Sequence, residues 1–284
     1  MNSTAAPQLR SRRWLRRFFI AVLSVLLIAG VGVLADSLIA ARVENKISQR
    51  IYTESNLPYP PKVQLAGFPY VAAAFTHKME AVTVSANDLD VPGFGLVSVH
   101  ASAQGITVPT KEVFSGDIQD APTRKIFTRL QLDGVSLGNR MNIDDLQIQG
   151  LEDISPRGSW ETEAIFHGTP EGFNKPSSVE VSLRIRAGDV YLTPTRVIEA
   201  PEDRSDDAKI VDGAELSNAD SDAIKRAMTL KLTSEELPLD NPPSRVYVSG
   251  GSVYVEMERL FSTVTITDLT PEVRPLPEDE KPGL

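Results

Sequence analysis

The side chains best suited to do chemistry are three histidines and two close pairs of aspartate. His77 stands in "FTHKMEA", His100 on the polar phase of "LVSVHASAQ", and His167 in "AIFHGTPEG". Each could serve as a general base, which requires a reacting group within hydrogen-bond reach and a second group to orient the ring, and the spacing names no such partner. Asp88 with Asp90, and Asp144 with Asp145, could supply the two carboxyl groups of glycoside chemistry if a cleft held two of them about 5–9 Å apart. There is no GxSxG nucleophile turn. The chain also lacks cysteine, which removes thiolate nucleophiles, disulfides, Cys-based metal sites and a lipid-modified cysteine.

Two further patterns resemble ligand loops. Gly93-Phe94-Gly95 has serine at position 98 and no helix after it, so it reads as a bend between strands and not as a phosphate cradle. Asn218, Asp220 and Asp222 copy the first ligand positions of a calcium loop, but Ala223 replaces the glycine that loop needs and Thr229 the closing glutamate. The cluster reads as helix N-capping. No catalytic residue, metal site or cofactor is therefore assigned.

Charge narrows the partners. The first 35 residues hold five arginines and no acid, and the remainder carries 24 basic against 38 acidic residues, a balance of −14. So acidic a body repels phosphate backbones, and no nucleic-acid partner is expected. Residues 18–35, "FFIAVLSVLLIAGVGVLA", carry no charge and approach the ~20 residues a helix needs to cross a bilayer. Arginines on one flank and Asp36 on the other predict a single-pass segment in the cell membrane, with a cytoplasmic N-terminus and an extracytoplasmic main domain. A signal peptide cleaved after Val33-Leu34-Ala35 is the competing reading, although the run exceeds the roughly 7–15 apolar residues usual for one. The expected divisions are 1–17 a cytoplasmic basic tail, 18–35 the anchor, 36–270 the extracytoplasmic domain, and 271–284 a disordered acidic, Pro-rich tail.

Past the anchor, Leu38, Ile39, Ala41, Val43, Ile47 and Ile51 recur at helical spacing, so the anchor helix is predicted to continue as an amphipathic one until Pro58, Pro60 and Pro61 stop it. The period then falls to two. Val97, Val99, Ala101 and Ala103 alternate with Ser98, His100, Ser102 and Gln104; Val179, Val181, Leu183, Ile185 and Ala187 alternate with polar residues in the same way. Shorter strands are expected at 126–135, 141–149, 191–198 and 261–267, with a hairpin turning at Gly250-Gly251. One more helix is expected at 220–232, after an acidic loop excursion at 200–218. This order predicts an α+β fold in which a long curved antiparallel sheet wraps on helices and leaves an apolar groove. Aliphatic faces suit an aliphatic cargo, since each buried CH₂ contributes about 0.8 kcal/mol without any directional partner. An ordinary closed core has the same pattern.

The anchor, the amphipathic helix, "VQLAGFPYVAAAF", "MEAVTVSANDLDV", "LVSVHASAQGITVP" and the late "ELPLDNPPSRVYVSGGSVYVEMERLFSTVTI" together resemble the LmeA-like phospholipid-binding family of actinobacterial cell-envelope proteins. The resemblance spans residues 36–267. It implies an exported, non-catalytic protein that binds or shuttles phospholipid in an apolar groove and supports envelope and lipoglycan biogenesis. The bilayer and a phospholipid or related acyl lipid would then be its partners. In such a protein Gly67 permits a tight turn and Pro69 stiffens it. Phe68, Tyr70, Val71 and Phe75 are then expected at the groove mouth, with the Tyr70 hydroxyl near headgroups and Phe68 turned inward as a plug. Val97, Val99, Leu183 and Ile185 are expected on the lining. An envelope scaffold with a solid core, and an enzyme acting on lipid-linked sugars through the aspartates above, remain alternative readings.

Overall fold

A computed structural model describes residues 9–55, 57–151 and 162–270. The 271–284 tail, and positions 1–8 of the basic tail, lie outside the described residues. Helix α1 (Leu9–Glu54) is followed by β1 (Lys62–Ala66), a 3₁₀ turn (Tyr70–Ala72), α2 (Ala73–Thr76), β2 (Lys78–Val91) and β3 (Gly95–Thr107). Then come α3 (Thr110–Ser115), β4 (Ala121–Leu132), α4 (Gly134–Met141), β5 (Gln147–Gly150), β6 (Glu163–Gly168), β7 (Ser177–Arg186) and β8 (Asp189–Pro201). The chain closes with β9 (Ile210–Asp212), α5 (Asn218–Ala227), β10 (Leu230–Leu232), β11 (Arg245–Ser249), β12 (Ser252–Val264) and a last 3₁₀ turn, Ile266–Leu269.

The α+β class read from the sequence is the class found, with the strands shared between two open antiparallel sheets. The first has the order β1-β2-β3-β4-β12-β11, the second β10-β8-β7-β6-β5 with β9 paired to β8. They meet where β11 runs against β5: a Cβ placed on Gly150 would lie 3.7 Å from Val248 Cγ1.

Helix α1 is one unbroken element with two surfaces. Its apolar run from Phe18 onward is exposed, and it is long and apolar enough to cross a membrane. Beyond Ala35 a stripe of Val43, Ile47 and Ile51, four residues apart on one face, is buried against the first sheet. Polar links set this docking: Glu44 accepts from the Leu65 amide at 2.8 Å, Ser48 donates to the Pro61 carbonyl at 2.6 Å, and Arg50 pairs with Asp117 at 2.6 Å. At Gly116, where φ is +72°, the chain passes so close to α1 that a Cβ would lie 2.6 Å from Ile47 Cγ1.

Local readings fared unevenly. The β3 face, the β7 face as far as Ile185, the Gly93–Gly95 bend and the Gly250-Gly251 hairpin are present as expected, whereas Ala187 falls beyond β7, exposed in a turn at φ +51°. The strand expected to 135 stops at Leu132, where α4 soon takes over, and the one expected from 141 forms only as β5 from Gln147, after a loop at 142–146. The helix expected to reach 232 ends at Ala227, leaving Leu232 in β10. The strand expected at 261–267 is instead the end of β12, running into the last 3₁₀ turn. The acidic excursion is tied down: Glu199 to Pro201 pair with β9, and Lys175 donates to the Ala208 carbonyl at 2.6 Å.

Candidate lipid-binding site

The turn between β1 and β2 is built around Asp36, the first charged residue after the apolar run. Its two carboxylate oxygens accept the amides of Tyr70 and Val71, each at 2.8 Å, and the side chain is 6% exposed. This satisfies donors at the start of the 3₁₀ turn that have no partner within it. Gly67, at φ +116°, makes the bend that a side chain would strain, and the Phe68–Pro69 peptide is cis. On the other side, the Thr110 hydroxyl donates to the Ala74 carbonyl at 2.7 Å and the Tyr70 hydroxyl to the Val113 carbonyl. Turn, α1 and α3 thus form one unit.

A cavity of about 310 Å³ opens beside this turn. Its floor is Tyr70, Ala73 and Met79, all buried; Phe68, Thr76, Lys78 and Glu80 stand at its exposed edge. The volume lies at the small end of ligand pockets and suits part of one acyl chain. Lys78 makes no ion pair among the described residues. Phe75 is 84% exposed and Phe68 69%, and each ring forgoes the roughly 1.5–3 kcal/mol that burial would contribute.

The roles expected of the two aromatic residues are exchanged. Tyr70 is 3% exposed, with its hydroxyl committed inward, and burial, with Glu44 and Asp36 nearby, holds the phenol well above its ordinary pKa. Phe68, expected as the plug, projects outward. Val71 is half-buried beside Asp36, and Phe75 lies outside the cavity wall. Val97 and Val99 are buried in the first sheet and Leu183 in the second, with Ile185 packed against the same core. None of these four lines the cavity, so a lipid would meet them only if the core parted.

A larger depression of about 870 Å³ lies between the β2–β3 bend, Arg140 and residues 234–240. Glu235, Glu236 and Asp240 line it, and Arg140 is already paired with Glu236 at 2.5 Å. Such a wall repels an anionic headgroup.

Three of the acid–base candidates, Asp145, His167 and His100, have side-chain partners. Asp145 accepts from the Thr169 amide (2.7 Å) and hydroxyl (2.8 Å); its desolvation is outweighed by these bonds, and its carboxyl titrates below the usual range. Asp88, Asp90 and Asp144 are exposed, and none of the four aspartates lines either cavity. His167 Nδ1 lies 3.0 Å from Ser178 Oγ, and His77 caps α2 in the left-handed region. Ser217, one residue before the Asn218 cluster, is the cap of α5 and accepts from the Asp220 amide at 3.1 Å. Among the described residues no group of three or more metal-type ligands occurs.

His100 belongs to a row across the polar face of the first sheet. Register aligns Ser85, His100, Arg129, Glu256 and Arg245 on successive strands. Buried Glu256 accepts from Arg129 at 2.7 Å and from the Tyr247 hydroxyl at 2.8 Å. Burial and then Glu256 push the Tyr247 phenol up to about 12. Burial, and secondarily Arg129, lower the pKa of His100, whose Nδ1 lies 2.8 Å from Ser85 Oγ.

Asp36, Met79 and Lys78 were not foreseen as parts of the site. The only sequence signal for Asp36 was an acid directly after an apolar run, which reads equally well as a boundary.

The fold and the cleft together define a mixed α+β domain with a partly apolar cleft beside the end of an apolar helical run. Comparison with curated proteins and with solved structures finds no match. The model of one family, described as LmeA-like phospholipid-binding, matches residues 34–258, most of the chain. The chain belongs to the LmeA-like phospholipid-binding family.

Proposed function

We propose that this protein is held in the cell membrane by residues 18–35 of α1, with residues 36–270 outside the cytoplasm. There it binds phospholipid and sequesters or passes it on during assembly of the envelope and its lipoglycans, without breaking covalent bonds. Membership of a phospholipid-binding family supports the ligand class, and the arginine-rich flank supports the orientation. The observation that carries the reading is the cavity at the Gly67–Thr76 turn, tied through Asp36 to the end of the apolar run. In this reading an acyl chain lies on Tyr70, Ala73 and Met79, Phe68 covers its exposed side, Phe75 stands outside the wall as exposed apolar surface that meets lipid on its way in, Val71 braces the turn, and Lys78 faces the phosphate.

The test is native mass spectrometry with lipid extraction on the full chain released from membranes, followed by capture of labelled phosphatidylglycerol from vesicles. Wild type is expected to carry phospholipid, and Phe68→Ser with Phe75→Ser to capture several-fold less with an unchanged circular dichroism spectrum. Wild type free of lipid, or a double variant that captures normally, would remove the basis for this site.

A further inference from the structure

We infer that the pole of the domain bearing Phe68 and Phe75 is itself inserted in the membrane that α1 crosses, so that the cavity opens into the outer leaflet and not into water. This rests on the reading of residues 18–35 as a membrane span, and it adds a second contact with the bilayer.

Three observations lead to it. The first is height. Residues 18–35 as a helix rise about 27 Å, close to the roughly 30 Å of a hydrocarbon core, so Asp36 sits at the outer edge of that core. Through its two 2.8 Å bonds Asp36 fixes the amides of Tyr70 and Val71 at the same level. The second is rigidity. Helix α1 runs from Leu9 to Glu54 without a break, and its stripe of Val43, Ile47 and Ile51 is buried in the domain, so no hinge separates span from body. The third is the character of the exposed groups at this level: Phe68, Phe75 and, two residues after Asp36, Leu38 at 61% exposure. Like the span, they present apolar surface that packs against nothing in the domain. Asp36, the first charge after the span, has both oxygens already bonded, and the exposed Lys78 and Glu80 at the cavity edge have stems long enough to carry their charges to the headgroups. Aromatic rings beside a helix exit are what the interface favours. An acyl chain could then slide sideways between leaflet and cavity without its methylenes meeting solvent.

The chain has no cysteine, so a single introduced thiol takes a label at one site. The full chain is reconstituted in phosphatidylcholine–phosphatidylglycerol vesicles with an environment-sensitive fluorophore at Phe68→Cys, Phe75→Cys, Val25→Cys or Leu96→Cys. Leu96 is exposed and pairs with Asp90, about 40 Å along β2 from Lys78, so it reports water. Phe75, being almost wholly exposed, carries the test without disturbing the turn. The expected result is quenching by brominated acyl chains at 68 and 75 several-fold above that at 96, with iodide quenching reversed. If 25 is quenched while 68 and 75 behave like 96, the insertion is overturned and the anchor stands. If 25 is not quenched either, the span is wrong and the inference falls with it. Shielding of 68 and 75 from iodide without quenching by lipid would assign the patch to a second protein chain and overturn the proposal.

Discussion

Two side chains decide how the turn after β1 is held. Asp36 satisfies two amides from below, and the Tyr70 hydroxyl reaches across to Val113 in α3. Tyr70→Phe keeps the cavity floor but leaves the Val113 carbonyl without this donor, so denaturant unfolding should show a loss of about 1–2 kcal/mol while lipid capture persists. Tyr70→Ser would remove the floor itself and is a test of folding, not of binding. His100 offers a different kind of check. Its folded pKa lies below the unfolded value of 6.5, so between the two the unfolded chain binds more protons and stability rises with pH. The contribution is fully present above 6.5 and is lost as pH falls through that value toward the folded pKa. His100→Gln should therefore flatten the fall in Tm between pH 7 and pH 5, and an unchanged slope would assign that fall to other groups. The aspect of the site legible from residue types was the turn itself, Gly67 through Tyr70. The direction of each ring was not, because a short 3₁₀ turn has no long period to read and its facing depends on α3, forty residues away.

At the level of elements, periodicity was informative wherever an element was long. The 3.6-residue stripe of α1 predicted Val43, Ile47 and Ile51 as buried but also included Leu38 and Ala41, which are exposed; the alternation in β3 held throughout, and that in β7 held through Leu183. Helix α4 escaped because "GVSLGNRM" contains two glycines, which lower helix propensity. The structure explains them: a Cβ on Gly134 or Gly138 would lie 2.2 Å from the Leu146 carbonyl oxygen or 2.3 Å from that of Ile143. Close approach of backbone outweighed propensity, and only the Asp133 cap, accepting from the Ser136 amide at 2.8 Å, was a visible start signal. The seam between α1 and the domain makes a sharper prediction. Gly116→Ala would push a methyl into Ile47 at a positive φ, and thermal unfolding should report a loss of about 1–3 kcal/mol. Gly30→Ala, with nothing within 4 Å, is the matching control and should leave the domain's transition unchanged.

Over the whole molecule, what sequence could not supply was the assembly of strands. β12 pairs with β4 in a register that joins Val253 to Leu132, with the strands of the second sheet inserted between them in the chain. Alternation assigns a face to each residue but not a neighbour to each strand, so one long sheet and two shorter ones read alike. The same limit applies to the aliphatic lining. Val97, Val99 and Leu183 are correctly apolar and inward, but inward here means into packed protein. The unbroken course of α1 has one more effect. If residues 18–35 span the bilayer as proposed, a stalk without a swivel transmits twist as well as position, and the body would be unable to lean away from the membrane on its own. On that reading the protein would still move sideways within its own membrane, and an acceptor on another surface would have to come up to it.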